Sequence, residues 1–187
     1  MILPIYAYGH PVLKKKGEEL GPQYEGLTSL IENMWDTMYN AKGIGLAAPQ
    51  VGLSLRLFIV DTIQMQEIGE ESKGIKKVFI NPQIISEEGK IWAYEEGCLS
   101  IPNIHADVER AEIVNIKYFN ENFEEQLERY DGMNARVIQH EYDHIEGNLF
   151  IEKINPLKKR LLQRRLENIK KGLISVAYKM KFYIIKK

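Results

Sequence analysis

The chemistry in this chain concentrates at Gln139-His140-Glu141-Tyr142-Asp143-His144, an H-E-x-x-H pattern. In a helix, the four-residue spacing puts His140 and His144 on one face, one turn apart, where both can bind a single metal. Glu141 then projects beside that metal. Two imidazoles are an incomplete set, because a catalytic zinc- or iron-type centre takes three protein ligands and keeps one position for water. Cys98 is the only thiol in the chain. Read alone, it suits a small buried apolar group or a nucleophile as well as a ligand. Joined to the two histidines it completes a His2Cys set. A metal so held lowers the pKa of its water, giving a metal-bound hydroxide that can attack a carbonyl near neutral pH. Glu141 is placed to accept the water's proton and return it to a leaving amine. The Leu99 backbone N–H and the Gln50 side-chain amide are the candidate donors to the developing oxyanion.

These residues need elements to position them. Asp131 offers an N-cap and Gly147 a C-terminal stop for the histidine helix, on which Val137, His140, Glu141 and His144 form one stripe. Apolar residues at spacings of three and four predict an earlier helix from about Tyr24 to Lys42. It runs into Gly43-Ile44-Gly45-Leu46-Ala47-Ala48-Pro49-Gln50, a nearly bare backbone that either presents N–H and C=O groups to an extended ligand or is simply a helix C-cap and turn. Strands are expected at Arg56–Asp61, Lys77–Ile85 and Lys90–Tyr94, the last two joined by a Glu87-Glu88-Gly89 turn, with a surface loop over 62–75. Ala106–Arg110, Ile113–Phe119 and Glu125–Tyr130 read as an antiparallel meander around Asn120-Glu121-Asn122. Asn155-Pro156 opens a final helix, which Gly172 ends, and Ile174 to Ile185 can add a last strand. His10, ahead of Pro11, reads as structural. The fold class is α+β, with antiparallel sheets packed around a central helix carrying H-E-x-x-H and a C-terminal helix after it.

At 187 residues, 44% hydrophobic and 27% charged, the chain suits one globular catalytic domain over 1–187. No apolar run approaches the roughly 18 residues needed to span a bilayer, and no signal-peptide pattern opens the chain. The expectation is a cytoplasmic protein with no membrane partner. One cysteine excludes an internal disulfide. Net charge is −1, but residues 156–187 hold eleven Lys and Arg against one acid, a surplus of +10 that leaves −11 for the rest. A basic end of this kind either rests on nucleic acid or is a solvated helix face.

Taken together, Gly43–Gln50, Glu96-Gly97-Cys98-Leu99-Ser100 and Gln139–His144 resemble the three motifs of the peptide deformylases, in the same order and at similar spacing over about the first 150 residues. The resemblance implies a metal-dependent hydrolase that removes the formyl group from the N-terminal methionine of nascent polypeptides. It implies Cys98, His140 and His144 as metal ligands, Glu141 as general acid/base, and Gln50 and Leu99 as oxyanion-stabilising groups. Ile44, Gly45 and Gly97 match loop positions whose backbone pairs with the substrate as an added strand. Val137 falls where the family lines a pocket for the methionine side chain. The implied metal is Fe(2+), with Zn(2+) or another divalent ion as alternatives, one per chain. His105 stands where many members carry an arginine near the bound peptide. The basic segment from about 156 to 187 matches the family's habit of docking on the ribosome through a C-terminal helix.

Two other readings remain. A zinc endopeptidase shares H-E-x-x-H, but no histidine follows His144, and Glu146 and Glu152 lack the expected spacing for a third ligand. A ribosome- or RNA-binding module with a structural metal would normally need four protein ligands, and three are found.

Overall fold

The computed structural model describes residues 1–66 and 73–183. Five antiparallel strands form the main sheet in the order β2-β3-β4-β5-β6: β2 (Gly45–Ala47), β3 (Leu57–Asp61), β4 (Lys76–Cys98), β5 (Ile101–Phe119) and β6 (Glu125–Asp131). A second, two-stranded sheet pairs β1 (Ile5–Tyr6) in parallel with β7 (Met180–Lys181). Three α-helices complete the fold among the described residues: α1 (Leu27–Asn40), α2 (Gly132–Ile145) and α3 (Pro156–Lys170).

The expected turn at Glu87-Glu88-Gly89 does not separate two strands. β4 runs unbroken through it, with a register irregularity between Glu88 and Ile91 where Gly89 adopts φ +80. Gly89 therefore serves a bulge, the other use a strand makes of glycine. β5 is likewise one strand where two segments were expected. The β5–β6 hairpin lies where the sequence placed it, with Asn120 Oδ1 accepting from the Asn122 and Glu124 N–H groups at 2.9 and 3.0 Å. The loop expected over 62–75 falls partly outside the described residues. Its described start is a short 3-10 turn, Ile63–Met65. His10 is structural, its ring nitrogen accepting from the Val12 N–H at 3.2 Å.

The histidine helix is the centre of the molecule. α2 packs against β2, β3, β5 and β6, and nine of its fourteen residues are buried, including Arg136, Gln139, Glu141, Asp143 and His144. Apolar clusters flank it: Ile138 and Ile145 with Phe58, Phe79 and Ile116 on the sheet, and Ile101, Ile104 and Phe150 with Leu166 and Ile169 of α3. Burying this many polar groups is costly unless they are partnered, and the partners of Arg136, Gln139, Asp143 and His144 build the site around Glu141.

Candidate metal centre and its cleft

Cys98 closes β4, and a two-residue turn, Leu99-Ser100, leads into β5. Opposite pairing jumps from Gly97↔His105 to Cys98↔Ile101, so Pro102, Asn103 and Ile104 bulge out of the ladder, with Asn103 at φ +62. The bulge turns the end of this hairpin against α2. One donor atom from each of Cys98, His140 and His144 lies within 4.8 Å of the other two, with Cys98 Sγ 3.2 Å from His144 Nε2. Tetrahedral thiolate and imidazole ligands of one metal stand roughly 3.3–3.6 Å apart, so the three donors fit a single divalent ion.

Charge around the cluster points the same way. His140 Nδ1 faces Glu96 Oε2 at 3.0 Å, leaving Nε2 for another partner. Burial opposes a charged His140, but hydrogen bonds to Cys98 and Glu96 outweigh it and push the pKa up to about 10. These surroundings favour positive charge at the cluster, as a bound cation would supply. Burial and the charge of His140 hold His144 well below the ordinary histidine range, in the neutral form a ligand needs.

Glu96 itself is gripped by arginines that sequence reasoning assigned no role. Arg110 binds it with two hydrogen bonds, 2.7 and 2.9 Å, and reaches Asp143 at 2.7 Å. Arg136 donates to Glu96 at 2.7 Å, to the carbonyls of Val108 and Trp92 at 3.0 and 2.7 Å, and stacks 4.0 Å from the Trp92 ring. Two carboxylates and two guanidiniums thus neutralise one another beneath His140. Burial alone would raise the Glu96 pKa, but the His140 and Arg110 hydrogen bonds hold it well below the usual carboxylate range. The signal was in the chain, as Glu96 precedes Gly97-Cys98 and Asp143 precedes His144. Only the β4–β5 register brings Arg110 between them.

Glu141 is buried, and among the described residues its Oε2 has no hydrogen-bond partner. Burial pushes its pKa up to about 7, against the opposing pull of His140 and Arg110. Its carboxylate presses against the Gly45 backbone, where an added Cβ would lie 2.5 Å from Oε1. Gly45 is thus a glycine because Glu141 occupies the space of a side chain. Gln50 sits in a 3-10 turn, Ala48–Val51, and its Oε1 accepts from the Ala47 N–H at 2.8 Å. That bond aims Nε2 at Cys98 Sγ and Ser100 Oγ, each at 3.4 Å.

These groups open into a cleft of about 470 Å³, lined by Ile44, Gly45, Gln50, Gly97, Cys98, Leu99 and Glu141, with His105 at its margin. Val137 stands apart from it. It lines a second cavity of about 230 Å³ with Met133, Tyr94 and His140, and Ile44 and Gly97 border both spaces. β2 is an edge strand. The Ile44 carbonyl accepts from the Asp61 N–H at 2.8 Å, so by antiparallel alternation Gly45 turns its polar groups to the open edge. His105 is exposed, its ring against Gly97.

Comparison with known proteins gives the chain its family. The sequence model of the polypeptide deformylase family matches residues 2–160. Peptide deformylases of Christiangramia forsetii and Flavobacterium johnsoniae are 56% and 51% identical to the chain, in both cases covering 100% of it and 99% of the relative. The crystal structure of peptide deformylase from Thermus thermophilus superposes with a TM-score of 0.82 at 36% identity, over 92% of this chain and 99% of that one. A peptide deformylase structure from Legionella pneumophila gives 0.80 at 36% identity, over 92% and 98%. The chain belongs to the peptide deformylase family, enzymes that remove the formyl group from the N-terminal methionine of nascent polypeptides.

Proposed function

We propose that Cys98, His140 and His144 hold the catalytic metal and that Glu141 carries the proton between water and the leaving amine. The observation behind this reading is the convergence of the three donor atoms within 4.8 Å beside a buried carboxylate oxygen that has no hydrogen-bond partner among the described residues. A divalent metal held there would supply Lewis acidity and lower the pKa of water near neutral pH. Glu141 Oε2 accepts the proton as water adds to the formyl carbon. The same oxygen then returns the proton to the methionine nitrogen as the C–N bond breaks, releasing formate and a free amine. Burial raises its pKa, which favours uptake of that proton. The Leu99 N–H and Gln50 Nε2 donate to the oxygen that gains charge. Gln50 is fixed for this by the Ala47 bond before substrate arrives.

The peptide lies along Ile44, Gly45 and Gly97 as an added strand on the β2 edge. Its methionine side chain enters the cavity lined by Val137, Met133 and Tyr94. An imidazole and thiolate set suits iron and zinc alike; we take Fe(2+) as the resident ion, one per chain, with zinc or another divalent ion as the alternative. Residues 1–187 act as one catalytic unit in the cytoplasm. Among the described residues no helix is long and apolar enough to cross a membrane.

Anaerobic purification with metal analysis and turnover of a short N-formylmethionyl peptide tests this reading. About one equivalent of iron with formate release lost in air supports it, whereas stoichiometric zinc without formate release would overturn the substrate assignment. Cys98→Ser should lose the bulk of its bound metal on dialysis, and retained metal would remove Cys98 from the ligand set.

Docking on the ribosome rests on α3, where Arg160, Arg164 and Arg165 are exposed. Deleting the chain from Pro156 would be a poor test, because it also removes the buried Leu166 and Ile169. Reversing Arg160 and Arg164 to Glu leaves the core intact. The double variant should lose salt-dependent ribosome association, and undiminished binding at low salt would exclude this surface.

A further inference from the structure

The match to the family ends at residue 160, and the segment beyond α3 returns to the cleft. Gly172, at φ +71, turns the chain off the helix, and the Leu173 N–H closes the last turn on the Asn168 carbonyl at 2.8 Å. From there the residues alternate. Ile174, Val176, Tyr178, Met180 and Phe182 are half-buried, and Leu173, Ser175, Ala177, Lys179 and Lys181 are exposed, as in a strand laid flat on the molecule. Pairing of Met180–Lys181 with Ile5–Tyr6 holds the far end. The Ile5 N–H donates to the Lys179 carbonyl at 2.8 Å, and Ile174, Met180 and Phe182 pack on the Leu166 and Ile169 core. Between these anchors Val176, Ala177 and Tyr178 line the same cleft as Lys42, Gly43, Leu99 and Cys98. The Tyr178 hydroxyl donates to the Leu99 carbonyl at 2.8 Å, tying this strap to the turn that follows the cysteine.

We propose that the strap over residues 176–178 is a wall of the substrate cleft that contacts the nascent chain beyond its formyl-methionine, with Tyr178 as the positioning residue that fixes the strap to the Leu99-Ser100 turn. The proposal rests on the reading of Cys98, Gln50 and Glu141 as the place of the formyl group. The formyl group has two heavy atoms, the methionine side chain has its own cavity past Ile44 and Gly97, and a cleft of about 470 Å³ remains. The following residues are what this space can hold, and Val176 and Ala177 are among the groups they meet there. Burial, with the Cys98 sulfur close by, raises the Tyr178 pKa, so the hydroxyl keeps the proton it donates to Leu99.

Ala177 is exposed at the edge of the cleft, so its side chain can be enlarged without disturbing the core. The test compares formyl-Met-Ala with a formyl-Met-Ala-Xaa-Xaa tetrapeptide on the metal-loaded full-length enzyme. For Ala177→Trp, the ratio of KM for the tetrapeptide to KM for the dipeptide should rise at least fivefold, with the ratio of the two kcat values moving less than twofold. An unchanged KM ratio, in a variant whose thermal unfolding matches the parent, overturns the proposal. Ala177→Glu and Ala177→Lys supply a second measure should the tryptophan variant fold poorly. Tetrapeptides ending in Lys-Lys and in Glu-Glu should change KM in opposite directions between these two variants, and parallel changes would also overturn it. Tyr178→Phe should raise the same KM ratio about twofold or more, and a loss confined to kcat on both substrates would place Tyr178 on the chemistry and remove it from the strap's anchoring. Failure of the parent enzyme to release formate from either peptide would instead count against the underlying site reading.

Discussion

α2 and α3 are helices of 14 and 15 residues, yet the protein treats them in opposite ways. α2 buries nine residues, five of them polar or charged, and nearly every one of those polar groups is held by a named partner from the sheet. α3 buries only Leu166 and Ile169 and leaves Leu157, Leu161 and most of its cations in solvent. A substitution on α2 therefore acts on a network, where removing one group strands the next, and a substitution on the outer face of α3 acts on one side chain. Chemistry that needs atoms fixed to fractions of an ångström belongs on the first kind of helix. Contact with a large charged partner can be made by the second.

The strongest test of that difference is Glu141→Gln. The amide has the shape of the carboxylate and cannot take up a proton, so metal content and folding should persist while formate release falls about 10³-fold, roughly 4 kcal/mol of barrier. Turnover within tenfold of the parent would take the proton-transfer role from Glu141. Glu96→Gln tests the layer below. Weakening the carboxylate leaves Arg110 and Arg136 buried without their full partner, which should cost about 3–5 kcal/mol and lower Tm by roughly 10 °C. Because Glu96 also orients His140, metal affinity should fall about 10- to 100-fold. Unchanged affinity with lowered Tm would confine Glu96 to holding the fold.

How much of this was legible depended on where each constraint resides. Cys98, His140 and His144 could be grouped from residue type and spacing because metal ligation admits few alternatives, and the two histidines share one helix turn. The helices and the β5–β6 hairpin were legible because period and turn chemistry are local. Glu96, Arg110 and Arg136 were not assigned, since their meeting depends on a strand register interrupted by bulges that no periodicity encodes. Gly89 was misread because a glycine after two acids signals a turn as readily as a bulge. In the tail, a strand was expected over 174–185, of which 184 and 185 lie outside the described residues, and only Met180–Lys181 is paired as one among the described residues. What the strap lies against is a long-range matter that its own pattern does not carry.

The mildest prediction uses α3 alone and divides the helix against itself. Leu166 is fully buried beside Ile101 and Ile169, so Leu166→Ala should lose about 2–5 kcal/mol of stability through lost burial and the cavity left behind. Leu161 lies five residues earlier and is 76% exposed, so Leu161→Gln should shift stability by no more than about 0.5 kcal/mol, read from denaturant midpoints at constant m. A glutamine keeps the helical propensity of the site, which removes backbone effects from the comparison. Loss of more than about 1 kcal/mol at Leu161 would mean that this face is covered in the free protein, and the surface proposed for ribosome docking would then be occupied by the chain itself or by a second copy of it.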